Sequence, residues 1–326
     1  LNRIHIYFRK PPPGYKWIPG DKHILNFFRE LFKWGKISGI EKVFINLCKG
    51  LDELQVDYCV NRPFKDIKPN EPVVILGSGK FALQGYKQTN PVVAGIGLMT
   101  HPAEWPGLFA EYPVAKYLQH SEWTRDIYTS YYGRDNCELW PAGIDTNFWD
   151  QDKGGPKKID FLIYNKIMWD KEDTDAIIRT PILNALARGG FSYTEIIYGN
   201  YSTAEYFTLL KECKAMIFLC EHESQGFACC EALSMGVPVF AWDQGYWLDP
   251  NRFIWGSPVV KATSIPFFDE RCGMSFKDIQ EFENSFDAFW NKVKTKSFNP
   301  RAYILENITL KKSAQRMMDI IHSVYK

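Results

Sequence analysis

Two carboxylates and a glycine mark the stretch of this chain with the clearest chemistry. Glu223 and Glu231 stand eight positions apart with Gly226 between them, inside AMIFLCEHESQGFACCEALSMGVPVFAW at 215–242. A carboxylate accepts charge-assisted hydrogen bonds from hydroxyls and repels phosphate. The N–H groups that open a helix do the reverse, because they and the helix dipole attract anions. An anion would therefore seat at Gly226, Phe227 and Ala228, with hydroxyl-rich groups on either side. Phosphate flanked by sugar hydroxyls describes a nucleotide sugar.

These residues need elements to hold them. The six mostly apolar residues 215–220 suit a buried parallel strand, and a polar turn follows at 221–225. Gly226 opens a helical pattern with Phe227, Cys230 and Leu233 at turn spacing, and Gly236 closes it before a second apolar run at 237–242. In such a strand–loop–helix–strand unit, ligands bind at the carboxyl end of the first strand.

The run from Glu223 through Gly-Phe, Glu231-Ala and Gly-Val-Pro-Val resembles the Glu-x7-Glu signature of retaining glycosyltransferases, group 1, with GT-B architecture. The resemblance implies an α/β chain with two Rossmann-like doubly wound domains facing a central cleft. It also implies that Glu223 contacts the transferred sugar and Glu231 the nucleotide ribose. Lys166 and Lys171, beyond a predicted strand at 159–164, stand where the family has Arg-x4-Lys to hold the diphosphate. Lysine gives a compact charge in place of a bidentate fork, yet still neutralises a leaving diphosphate. Gly39, after Ser38, stands where the family has a glycine-rich loop ahead of its first long helix. His101, past a strand at 92–98, matches a histidine that the family places near the donor sugar; a satisfied structural histidine is the alternative. His120 is a second histidine candidate. The segment LWPAGIDT at 139–146 resembles the Pro-x-Gly-Val-Asp that closes the first domain, with Gly143 and Asp145 read as turn residues.

The whole chain bounds these readings. Its 326 residues exceed one ordinary core and fit two domains of about 150. A composition shift to DQDKGGPKK at 150–158 reads as a linker. The expected domains are an N-terminal acceptor domain over 1–150, a nucleotide-sugar donor domain over 151–302, and a helix over about 303–326 that packs back on the first. Amphipathic patterns predict helices over 174–187, 201–213 and 276–293, and a strand over 195–198.

Lysine plus arginine (39) balances aspartate plus glutamate (38), which excludes a nucleic-acid binder built on a basic field. No apolar run reaches the roughly 20 residues of a membrane-spanning helix. The first ten residues carry no signal-peptide core, and the eight cysteines show no paired C-x2-C spacing. These features predict a cytoplasmic protein with reduced thiols. The basic stretch 22–36, with Ile24, Phe27, Phe28, Leu31 and Phe32 at helical spacing, either packs on its own sheet or lies on an anionic membrane. A membrane contact would suit a lipid-linked acceptor; a glycan or small-molecule acceptor is equally compatible.

The reading is a metal-independent retaining transferase with no cofactor and a UDP- or GDP-linked sugar as donor. Asp150-Gln-Asp152 matches Asp-x-Asp formally, but it sits in the linker. A catalytically inactive sugar-nucleotide or glycan-binding protein of the same fold is one alternative. A nicotinamide-dependent oxidoreductase is another, resting only on Gly77-Ser-Gly79-Lys80, which lacks the third glycine of a dinucleotide fingerprint and is better read as a turn.

Overall fold

The computed structural model describes residues 3–10, 38–153 and 155–325. The basic stretch 22–36 lies outside the described residues. The chain divides into two compact units: one holds the chain up to His120, Arg125–Trp140 and the residues from Ser313 on, the other Ser121–Thr124 and Pro141–Lys312.

The first unit is built on β1 (Ile4–Arg9), β2 (Tyr58–Val60), β3 (Val73–Gly77), β4 (Val92–Gly95), β5 (Val114–Gln119) and β6 (Cys137–Leu139). They form one parallel sheet in the order β2-β1-β3-β4-β5-β6. β3 and β4 are buried at every residue, as their unbroken apolar runs require of strands covered on both faces. Helix α1 (Gly39–Glu53) starts at Ser38, whose hydroxyl accepts from the Glu41 N–H, and buries Val43, Leu47 and Leu51. Helix α2 (Glu122–Tyr132) follows β5.

Gly77 and Gly79 prove to be backbone fittings. A side chain on Gly77 would sit 2.1 Å from the Arg9 carbonyl oxygen, and the Ser78 N–H donates to that oxygen at 3.0 Å. Only a three-residue 3-10 turn follows, Lys80–Ala82, so no α-helix N-terminus opens here to receive a pyrophosphate. The strand expected over 92–98 stops at Gly95, because Ile96 takes a left-handed φ of 47°.

The second unit carries β7 (Ile159–Lys166), β8 (Tyr193–Ile197), β9 (Cys213–Cys220), β10 (Val239–Trp242) and β11 (Gly273–Phe276), all parallel in the order β11-β10-β9-β7-β8. Counted from its own first strand, this is the 2-1-3-4-5 doubly wound order, whose direction switches between β7 and β9. Alternate residues of β7, β9 and β10 feed two cores. Leu162, Tyr164, Met216, Phe218 and Val239 join α5 (Phe227–Ser234) in one; Phe161, Ile163, Ile217, Phe240 and Phe276 join Ile182 and Phe289 in the other.

The helices depart from their sequence patterns at identifiable points. The pattern expected over 174–187 begins at Lys171 and passes through a π-helical turn, Asp175–Arg179, before α3 (Thr180–Arg188). Pro181 supplies no N–H to the ladder there, which accounts for the irregular turn. α4 (Thr203–Glu212) opens on a capping box of Ser202 and Glu205. The helix expected from 276 starts only at Ile279, as α6 (Ile279–Lys294) capped by Asp278. Phe276 instead ends edge strand β11, whose Gly273 has φ 149° and would place a Cβ 1.9 Å from the Val239 carbonyl oxygen. The terminal helix is two, α7 (Pro300–Asn307) and α8 (Leu310–Val324). They part where the Ile144 N–H takes the Ile308 carbonyl at 2.8 Å and residue 144 bridges Thr309.

Candidate functional site

A switch point is where a doubly wound sheet opens a crevice, since the connections on either side leave in opposite directions. In the second unit the switch lies between β7, which ends in Lys166, and β9, which runs into the loop Glu221–Gln225. The side chains expected to bind sugar and diphosphate meet there. Lys166 Nζ donates to Glu223 Oε1 at 2.6 Å, and the two side chains are only 18% and 14% exposed. The ammonium also lies 4.4 Å from the centre of the Tyr198 ring, a cation–π contact. Burial works against the charged ammonium, but the adjacent Glu223 carboxylate outweighs it and the Lys166 pKa is raised.

The loop that presents Glu223 is tied at nearly every residue. The buried Glu221 carboxylate accepts the Met168 and Trp169 N–H groups at 2.8 and 2.9 Å, which fixes the turn between Lys166 and Lys171. Burial raises the pKa of Glu221 against the pull of those two donors. The Glu223 N–H donates to the Thr263 carbonyl at 2.9 Å, and the Glu223 carbonyl accepts the Trp123 indole N–H at 2.9 Å. Gln225 grips both backbone groups of Ala142, accepting its N–H at 2.8 Å and donating to its carbonyl at 3.1 Å. Asp243, at the end of β10, holds Thr263 and Ser264 through bonds of 2.7 and 2.9 Å.

Gly226 then turns the chain with φ 68° and ψ 50°, a left-handed geometry open to glycine, and α5 begins at Phe227. A glycine cap brings no side chain over the first turn, and that turn carries no acidic residue. Such a start favours an anion. Glu231 lies about one turn in, 3% exposed. Burial and the Glu231 charge push the Tyr201 phenol up to about 12, and Tyr201 shares a 2.7 Å hydrogen bond with Tyr164 of β7.

Other expected residues fall elsewhere. Lys171 opens the exposed turn Lys171–Thr174 and forms no ion pair among the described residues. Gly39 and His101 belong to the first unit. Gly39 is the first residue of α1, and nothing stands within 4 Å of where its side chain would be. His101 is fully buried; its Nδ1 accepts the Ala103 N–H at 3.2 Å, its ring meets Tyr131 edge-on, and burial lowers its pKa. His120 donates from Nδ1 to the Trp140 carbonyl at 3.1 Å and is brought down to about 4 by burial, so it is a structural neutral imidazole. Asp150 pairs with Arg301 at 3.2 Å.

Sequence reading missed Glu221, Gln225, Trp123 and Tyr198. Only Glu221 left a signal, as a carboxylate placed directly after six apolar strand residues. His222 was also unmarked. Its ring lies between Trp123 and Trp247, with centroids at 5.8 and 6.4 Å, and its Nε2 is buried with no hydrogen-bond partner among the described residues. Burial, then Lys166 and Arg252, lowers it to about 4, so it adds no charge beside the Lys166–Glu223 pair near neutral pH.

No protein-family model and no curated protein matches the chain. Solved structures do. AviGT4, a glycosyltransferase involved in avilamycin A biosynthesis, superposes with a TM-score of 0.60 at 13% identity, covering 99% of this chain and 98% of its own. The apo form of WaaB, a lipopolysaccharide outer core galactosyltransferase, gives 0.53 at 11% identity over 98% of this chain and 99% of its own. The N-terminal domain of Candida albicans trehalose-6-phosphate phosphatase gives 0.52 at 12% identity over 97% and 84%. The two parallel-sheet units therefore have the GT-B fold. At these identities the likeness speaks for architecture, and function must be argued from the site.

Proposed function

We propose that the chain is a metal-independent retaining glycosyltransferase that uses a nucleotide-diphosphate sugar, UDP- or GDP-linked. The observation that carries the proposal is the joining of Lys166 and Glu223 at the switch point, beside a glycine-capped helix. A cation, an anion-attracting helix start and hydroxyl-accepting carboxylates are what a diphosphate flanked by two sugars needs. Lys166, Lys171 and the N–H groups at Gly226, Phe227 and Ala228 would take the diphosphate. Glu223 would accept from hydroxyls of the transferred sugar and Glu231 from those of the ribose.

The first unit would receive the acceptor, a glycan, a lipid-linked glycan or a small molecule, with Gly39 near the donor phosphate and the acceptor and His101 near the donor sugar. As the sugar–phosphate bond breaks, negative charge grows on the departing diphosphate, and the lysines and helix dipole stabilise that charge more than the ground state. Acceptor attack on the same face lets a donor phosphate oxygen take the hydroxyl proton, so the sugar leaves with its anomeric configuration retained. Among the described residues no helix is long and apolar enough to cross a membrane. The cytoplasmic location, and contact with a membrane surface through 22–36, belong to this proposal.

The test is thermal shift with uridine, guanosine and adenosine diphosphates and their sugars, on the wild type and Glu231→Ala. A ligand at a hundred times its dissociation constant adds about 2.7 kcal/mol. The expected result is stabilisation selective for one base and reduced in the variant, followed by turnover whose product keeps the donor anomer. Binding with no turnover on any acceptor class would favour an inactive binding protein. No shift with any nucleotide would remove the donor assignment.

A further inference from the structure

A second cluster of reactive side chains lies in the first unit, on the strands β1 and β2. His5 and Cys59 are register partners, so their side chains project from the same face of the sheet. Cys59 Sγ is 3.3 Å from His5 Nδ1, and His5 Nε2 is 2.7 Å from Glu71 Oε2. His5 is buried at 4% exposure.

The chemistry of the three groups fixes the proton positions. The Glu71 carboxyl also accepts the Lys68 N–H at 2.8 Å; burial works against its charge, but Lys68 and His5 together hold its pKa below the usual range. An ionised carboxylate can only accept, so His5 must donate from Nε2. In the neutral ring Nδ1 is then a lone pair, and it faces the thiol of Cys59. A nucleophile, a base and a carboxylate that orients the base stand within reach of one another in succession, the arrangement that activates a weak nucleophile.

We propose that Cys59 is a base-activated thiol and a modification site, at which a low-molecular-weight disulfide forms a reversible mixed disulfide. In that step His5 Nδ1 takes the Sγ proton as sulfur attacks one sulfur of the disulfide. The old S–S bond breaks as the new one forms, and the departing thiolate takes up the proton from the imidazolium. Glu71 stabilises the imidazolium between the two transfers. The charged groups that act on the thiol are Arg3 and Arg62, which favour ionisation, and Asp57 and Glu71, which oppose it. Burial is the largest influence and pushes the thiol up, so thiolate arises by transfer to His5 and not by standing ionisation.

Position supports the assignment. β2 is the edge strand of its sheet, and Cys59 is partly exposed on it. Six of the other seven cysteines are buried, and burial raises the remaining one, Cys48, to about 11. The cluster is not among the residues assigned to nucleotide-sugar binding, so it stands or falls apart from that reading.

The experiment is a brief pulse of iodoacetamide on the native full chain, with each cysteine quantified by peptide mass spectrometry, for wild type, His5→Asn and Glu71→Gln. Cys59 is expected to label first, and its rate to fall by roughly tenfold or more in His5→Asn. Glutathione disulfide is expected to add to Cys59 and to be removed by dithiothreitol. Labelling of Cys59 no faster than Cys48, or unchanged in both variants, would overturn the proposal. Should His5→Asn fail to fold, Glu71→Gln decides: slower labelling of Cys59 in that variant supports the relay, and an unchanged rate sinks it.

Discussion

The Lys166 ammonium lies 2.6 Å from Glu223 Oε1, across the carboxyl ends of the adjacent strands β7 and β9. Both side chains are largely withdrawn from water, so neither charge tolerates loss of the other. Removing one member of a buried pair leaves an uncompensated charge, at a cost of about 3 kcal/mol. Lys166→Met and Glu223→Gln should each lose about that much in urea unfolding, and the double variant should recover most of it. Additive losses, with no coupling in the double-mutant cycle, would show that the pair is open in solution.

Glu221 separates the need for a charge from the need for an acceptor. One oxygen, Oε1, takes both N–H groups of the turn at Met168 and Trp169. Glutamine keeps that oxygen without the charge that burial disfavours. Glu221→Gln should therefore unfold within about 0.5 kcal/mol of the wild type, whereas Glu221→Ala strands two donors and should cost about 2–3 kcal/mol. Equal losses in the two variants would mean that the charge itself holds the turn. If Lys171 binds diphosphate, the alanine variant should also raise KM for the donor, because Lys171 follows this turn directly.

The two parallel sheets were legible because their strands are short apolar runs between helical patterns, and runs such as VVILG and AMIFLC, too short for a helix and bounded by turn residues, suit buried strands. The linear motif from Glu223 to Glu231 was legible for a similar reason, since its chemistry lies in one strand–loop–helix unit. What escaped was three-dimensional. Gln225 reaches Ala142 across 83 positions and Trp123 reaches Glu223 across 100, and no local period records such a pairing. The Phe276 error has a local cause: Gly273–Phe276 is too short for alternation to show, and Phe276 fits a helical stripe as well as a strand end. His120 was separable from a ligand-binding histidine only once the Trp140 carbonyl was seen on its Nδ1.

Gly226 carries a further prediction about the anion site. The nearest atoms to an added side chain are 3.6 Å away or more, so space is not the obstacle; φ 68° is. Gly226→Ala should cost about 1–2 kcal/mol, and Gly226→Asn less, because asparagine tolerates the left-handed region better. Nucleotide affinity gives the second readout. If the first turn of α5 takes the diphosphate, the asparagine variant should bind more weakly than its stability implies, since its side chain can occupy that turn.

His120 predicts how stability responds to acid. Its buried ring donates to the Trp140 carbonyl, and burial lowers its pKa from 6.5 to about 4. The unfolded chain takes up this proton as pH falls below about 6.5, while the folded chain refuses it until about 4. The contribution is thus fully present above the unfolded value and is lost as pH falls through this window, by about 1.4 kcal/mol per pH unit. His222 adds in the same direction, with its own pKa lowered to about 4. Glutamine at 120 can still donate to the carbonyl but does not titrate. Urea unfolding at several pH values between 7.5 and 4.5 should therefore show a shallower acid loss for His120→Gln than for the wild type. Parallel curves would mean that the imidazole is protonated in the folded state as readily as in the unfolded chain, and the burial argument for a neutral His120 would fail.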